Sequence, residues 1–265
     1  MVRRRIAEEP ISRFAVWARR FALFALGVAL LAIVLGQRDF IEVIPTFFTL
    51  AGALAIAVVA ILLAVAAFVV IWRDGLRGFG YALLAVAIGL ALVAYPAFLA
   101  LRAYHLPPLA DVTTDTADPP RFEAIARVRP REANPIAYPG AEAAALQRLA
   151  FPNIVPMLTA ATPQEVHDAA SAIVRRRKWA VIDDRRPQAG RREGRIEAVA
   201  RTAVMGFRDD VVLRVRAVPG GGTRLDIRSA SRYGTYDFGA NAQRILSLME
   251  EIEESIEPQP AAASR

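Results

Sequence analysis

The chain has 265 residues, 55% of them hydrophobic, a net charge of +7 and no cysteine. These figures exclude a disulfide framework, a thiol nucleophile and cysteine-based zinc or iron–sulfur sites. Ten basic and five acidic residues lie before Ala103 and 23 and 21 from there on, so the basic excess sits in the apolar half and not on a polar domain, where a nucleic-acid footprint would put it.

Three apolar runs come first. Phe21 to Gly36 is the shortest and can begin near Phe14; Phe47 to Trp72 and Gly78 to Leu101 carry no charge at all. A bilayer core takes about 20 apolar residues as helix, which predicts three transmembrane helices within residues 1–102, and hence the lipid bilayer as a partner. The charged segment before the first run is long and "VLGQRD" is a poor cleavage site, so the first run reads as a retained span. Arg3, Arg4, Arg5, Arg13, Arg19 and Arg20 precede it, and Arg73 and Arg77 follow the second run. Only Arg38 and Arg102 lie on the opposite side. Positive charge stays in the cytoplasm, which predicts a cytoplasmic N-terminus and everything after residue 102 outside. No ionisable side chain interrupts the second or third run, which speaks against an ion path. Small residues at Gly52, Ala53, Ala57, Ala60, Ala64, Ala67, Gly78, Gly80 and Gly89 predict a closely packed helical anchor.

Residues 103–150 are rich in Pro and Asp, including "LPPLADVTTDTADPPRF", and read as an extended connector with one helical patch at 141–149. From there an extracytoplasmic domain is expected over 151–257. Thr162, Pro163 and Glu165 form an N-terminal capping signature for a helix running to about Arg177. Strands follow at "KWAVIDD", "RIEAVARTAVMGF", "DVVLRVRAV" and "TRLDIRSAS", the last two joined by "PGGG", a hairpin signal. A final helix is expected from near Phe238 to Glu257, with a disordered tail over 258–265. The fold class is α+β: an antiparallel sheet of about four strands packed with two helices on one face. Period-2 alternation puts Arg214, Arg216, Arg224, Asp226 and Arg228 on the other face. That face reads as a solvated row of charge pairs or as a shallow surface for an anionic ligand.

The stretch "DIRSASRYGTYDFGANAQRI" (226–245) concentrates the candidate site residues Arg228, Ser229, Ser231, Arg232, Asp237, Asn241 and Arg244. Ser229 and Ser231 alternate onto the core face, Asp237 stands at a helix N-terminus, and Asn241 falls on the apolar stripe of the final helix. Asn241 must therefore find hydrogen bonds inside. The first reading is a structural lock between the last strand and the last helix. The second is an anion site using free helix amides with Arg232 or Arg244. The third is an oxygen-ligand cation site drawing Asp209 or Asp210 together with Asp237 and Asn241. His105 and His167 have no metal-ligand neighbours in sequence, so no metal is expected. No nucleophile elbow supports a triad of Ser229 or Ser231 with His167. No phosphate-binding glycine loop occurs, and no cofactor is expected.

"GFRDDVVLRV" followed by "RSASRYGTYDFGANAQRI" resembles the signature of the domain-of-unknown-function family numbered 1499, over about residues 150 to 256. Arg228, Ser229, Ser231, Arg232, Gly234, Asp237, Gly239, Asn241 and Arg244 carry the resemblance. Within that family the chain is similar to membrane-anchored bacterial members. Many members have "PNC" near the domain start, where this chain has Ile154. The family brings no assigned activity. The expected function is that of an integral protein of the bacterial inner membrane presenting a periplasmic, non-enzymatic module. The module would bind an anionic envelope ligand or a membrane protein partner, and no nucleic acid. The alternative is a membrane-tethered enzyme acting on an anionic envelope substrate, with Asp237 as acid/base.

Overall fold

The computed structural model describes residues 9–188, 193–202 and 204–256. Arg3, Arg4 and Arg5 of the positive-inside count, Glu257 and the tail 258–265 lie outside the described residues. The chain divides into two compact units, one built by the N-terminal helices and the other by most of the remainder.

The first unit holds α1 (Arg13–Gln37), α2 (Val43–Asp74) and α3 (Phe79–His105), each long and apolar enough to cross a membrane. Helix α1 is longer than its apolar run because Arg13, Arg19 and Arg20 are themselves helical. Two of these guanidinium groups find aromatic faces: Arg19 lies 3.9 Å from the Tyr81 ring centroid and Arg20 5.2 Å from that of Trp17. The packing of this unit is inverted relative to a soluble bundle. Its interior is Ala15, Ala18 and Ala22 against Ala60, Ala64 and Ala67 and Ala82 and Ala85. Phe24, Leu31, Phe48, Leu62 and Trp72 point outward and are exposed. Gly89 lets two helices approach closely, since a Cβ there would stand 2.5 Å from Ile61 Cγ1. Gly52 and Gly80, by contrast, have nothing within 4 Å of such a position.

The second unit is an α+β fold. Its six-stranded antiparallel sheet is made of β1 (Asp111–Thr113), β2 (Met157–Thr159), β3 (Ala180–Arg185), β4 (Glu193–Arg201), β5 (Arg208–Ala217) and β6 (Thr223–Ser231). The order is β1-β6-β5-β4-β3, and β2 pairs with the same strand, β6, as β1 does. The four long strands lie where the sequence predicts them, except that β4 stops at Arg201 and not at Phe207; β1 and β2 are three-residue additions too short to leave a periodic signal. The β5–β6 hairpin closes through Gly220, Gly221 and Gly222, all at positive φ, and a Cβ on Gly222 would lie 2.5 Å from the Thr159 carbonyl oxygen. Only glycine suits that corner.

Helices α4 (Ile125–Val128), α5 (Ala141–Ala150), α6 (Pro163–Arg176) and α7 (Ala240–Ile256) complete the unit. The capping box forms as the sequence requires: Thr162 Oγ1 accepts from the Glu165 amide and Glu165 accepts from the Thr162 amide. Val166, Ala170, Ile173 and Val174 of α6 pack with Ile245, Leu248 and Ile252 of α7 onto Ile196, Leu213 and Ile227 of the sheet. Ile154 is 5% exposed and joins this core, so the position serves apolar packing.

The opposite face differs from both expectations. The segment read as an extended connector is neither extended nor free of the domain. Its β1 pairs with β6, and Phe122, Ile125 and Ile136 pack on Val199, Val212 and Ala230. The row of Arg214 and Arg228 is therefore buried. Alternation separates two faces of a strand, but it says nothing of what comes to cover them.

Candidate functional site

The seven candidate residues fall into two clusters on opposite sides of the sheet. The first is the corner between β6 and α7. Phe238 and Gly239 sit at φ 54° and 78°, left-handed values that no helix continues, so α7 begins at Ala240 and not near Phe238. Asp237 spans this kink. Its Oδ1 accepts from the Gly239 amide at 2.8 Å and its Oδ2 from the Asn241 amide at 2.7 Å, so the carboxylate holds amides that open the helix and complements its dipole. Burial pushes the Asp237 carboxyl above its ordinary range, against the pull of those two amides and of Arg244.

Asn241, fully buried, is the centre of this corner. Its Oδ1 accepts from Ser229 Oγ at 2.7 Å and from Arg244 Nη1 at 2.6 Å. Its Nδ2 donates to Ser231 Oγ at 3.0 Å and to the Ala110 carbonyl at 3.1 Å. An amide side chain has two donors and two acceptor positions, and all four are used. Arg244 also donates to Ser229 Oγ at 2.8 Å and pairs with Asp209. The cluster is thus a closed network tying β5, β6, α7 and the chain before β1 together. Asp209 and the Ala110 carbonyl are members that local spacing did not single out as partners.

The second cluster carries Arg228 and Arg232. Arg228 meets Asp111 through Nε at 2.9 Å and Nη2 at 2.6 Å, and donates to the carbonyls of Pro120 and Ile136. Its guanidinium lies 4.7 Å from the Phe122 ring centroid and 5.6 Å from that of Tyr138. Arg232 pairs with Asp210 at 2.7 Å, whose other oxygen lies 3.0 Å from Arg129 Nε. Burial raises the carboxyls of Asp111 and Asp210, against the pull of their arginines.

This geometry corrects two sequence readings, the oxygen-ligand cation site and the anionic-ligand surface. Asp210 faces away from the corner toward Arg232 and Arg129, while Asp209, on the corner side, is paired with Arg244, which also bonds Asn241 Oδ1, so a guanidinium already stands where the cation would bind. Among the described residues no group of three or more His, Asp or Glu is placed to hold a metal ion. The Ser229 and Ser231 hydroxyls are bonded to Asn241 and Arg244, while His167 Nε2 lies 3.2 Å from Asp184 Oδ1, so no serine triad assembles. The arginine row is not a shallow anionic-ligand surface either, because its anions are built in. Asp226 accepts from Arg214, Arg216 and Arg224 at 3.1, 2.8 and 2.8 Å, and Asp115 accepts from Arg224 at 2.6 Å. Asp118 accepts from Arg214 at 2.9 Å. The signal for this pairing was present in the sequence as aspartates at 111, 115 and 118 facing a run of four arginines, but only the fold brings the two segments together.

Glu197, on β4, is a further buried group that sequence reasoning passed over. It is fully buried and accepts from the Glu123 and Ile125 amides, both at 2.8 Å. The covering segment is therefore anchored by polar bonds at both Asp111 and Glu197. The model of a family described as "Protein of unknown function (DUF1499)" matches residues 111–252. The match begins at Asp111, the partner of Arg228, and so includes the covering segment as well as the sheet. No curated protein matches the chain.

Proposed function

We propose that this chain, which belongs to the DUF1499 family, is a membrane-anchored, non-catalytic module. Three spans would hold its α+β domain outside the cytoplasm, in the periplasm of a bacterial envelope. The observation that carries the anchor is the inverted packing of the helical unit. Soluble cores bury their large apolar side chains; here alanines fill the interior and Phe24, Leu31, Phe48, Leu62 and Trp72 face out. Such a surface is stable in lipid, where small residues let helices pack and large ones meet the acyl chains, and it would aggregate in water. The orientation rests on eight arginines against two across the predicted spans.

The non-catalytic reading is supported by the corner itself. Asp237 spends both oxygens on backbone amides, and Asn241 spends its whole hydrogen-bonding capacity on neighbours. Groups so engaged serve to hold β6 and α7 in register.

The orientation is tested by fusions to the C-terminus. Alkaline phosphatase should be active there and green fluorescent protein dark. Inactive phosphatase with bright fluorescence would place the domain in the cytoplasm and refute this part of the proposal.

A further inference from the structure

Beneath the loop 130–137, on the sheet face away from α6 and α7, three guanidinium groups meet two carboxylates. Arg228 pairs with Asp111, and Arg232 and Arg129 share Asp210. The side chains are 3, 8, 4, 5 and 0% exposed in that order. Charge in this cluster does not balance, and an unneutralised buried cation is costly.

The surplus can be located. Arg228 uses Nε, Nη1 and Nη2 on Asp111, Pro120 and Ile136. Arg232 directs Nε and Nη2 at Asp210. Arg129 Nε lies 3.0 Å from Asp210 Oδ2, and the Arg129 Nε, Nη1 and Nη2, like Asp210 Oδ2, are buried with no hydrogen-bond partner. The Tyr138 hydroxyl is buried without a partner as well. Arg129 and Tyr138 flank the same loop, and both feel the charges of Asp111 and Arg228. Burial pushes the Tyr138 hydroxyl up to about 12, so it remains a proton donor. The loop is fastened over the site by Asn134, whose amide bonds the Arg232 carbonyl at 2.7 Å and whose side chain bonds the carbonyls of Ser231 and Gly234 at 3.0 and 2.7 Å.

We propose that the unpartnered donors beneath this loop bind a carboxylate, its two oxygens accepting from Arg129 Nη1 and Nη2 and from the Tyr138 hydroxyl. A carboxylate carries the single negative charge that the cluster lacks, and its planar pair of oxygens matches the fork of a guanidinium. A free organic acid and the C-terminus of a peptide both present this group. The inference goes beyond the non-catalytic-module reading and does not depend on which side of the membrane the domain faces. A failed titration beside an active phosphatase fusion would remove the ligand and leave the topology.

The full chain in detergent micelles is titrated calorimetrically at constant ionic strength with sodium acetate, and with trialanine bearing a free or an amidated C-terminus. Saturable binding is expected for acetate or for the free peptide, and none for the amidated one. Arg129→Gln should weaken it at least about tenfold, as loss of charge-assisted bonds requires, and Tyr138→Phe about threefold. Arg131→Gln, at an exposed position of the loop, should leave it unchanged. Tyr138→Phe keeps Arg129 in place and carries the test if Arg129→Gln does not fold. A site filled only by water would show no saturable response to either probe, which overturns the proposal, as does equal binding of the two peptides or undiminished binding by the folded variants.

Discussion

Replacing Asn241 by alanine should cost the domain about 3–5 kcal/mol, on the order of 1 kcal/mol for each of three neutral hydrogen bonds and somewhat more for the bond from Arg244. The substitution does not leave every partner stranded. Arg244 keeps Asp209 and Ser229, and Ser229 keeps Arg244. Among the groups that lose their bond to Asn241 are Ser231 Oγ and the Ala110 carbonyl. Set against a typical total of about 5–15 kcal/mol, the loss takes the domain close to its unfolding limit. Asp237→Asn is the matched comparison. Its amide oxygen can accept only one of the two N–H groups that Asp237 holds, so the loss should be about 1–3 kcal/mol, smaller than that of Asn241→Ala. Pulse proteolysis of the full chain in detergent across a urea series would measure both midpoints for the α+β unit. A loss below about 1 kcal/mol for Asn241→Ala would refute the lock, since a saturated buried amide cannot be removed so cheaply. A domain of unchanged stability that had lost a ligand response would turn the corner into a binding site.

Two further outcomes follow from the same structure. The Asp184 carboxyl is held below its ordinary 3.8 because hydrogen bonds from Ser171 and Arg175, with the charge of His167, outweigh the upward push of burial. A depressed folded value stabilises the domain above the unfolded value, and that stability is lost as pH falls through the folded one. Wild type should therefore lose an increment below about pH 4 that Asp184→Asn lacks; parallel acid limbs in urea melts of the two proteins would contradict this. In the helical unit, Gly89→Val should lower thermal stability in detergent, because its Cβ would meet Ile61 Cγ1 at 2.5 Å and the Ala57 carbonyl at 3.3 Å. Gly80→Val, with open space around it, should not, and equal melting of the two variants would refute the close approach at Gly89.

Much of this architecture was legible in one dimension because its causes are local. Runs without charge are long enough for the second and third spans, the capping signature at Thr162 is a property of four residues, and period-2 alternation marks both faces of β4, β5 and β6. The inward pairing of Ser229 and Ser231 with Asn241 was legible too, since strand and helix periods put all three on the core side. The start of α7 was not, because Asp237 acts as a clamp across two left-handed residues and not as the residue adjoining the helix.

Residue order by itself determined which side chains could face the helices, which could not, and where chemistry was concentrated. Tertiary structure alone decided what the outward arginines meet. Aspartates about a hundred residues away in the chain return to Arg214, Arg224 and Arg228, and this turns an expected solvated row into a paired one in which Arg214 and Arg228 are buried. The reason is physical: periodicity reports the direction of a side chain, whereas pairing of buried charges depends on which distant segment arrives. The same folding-back leaves Arg129 and Tyr138 with unused donors under the loop.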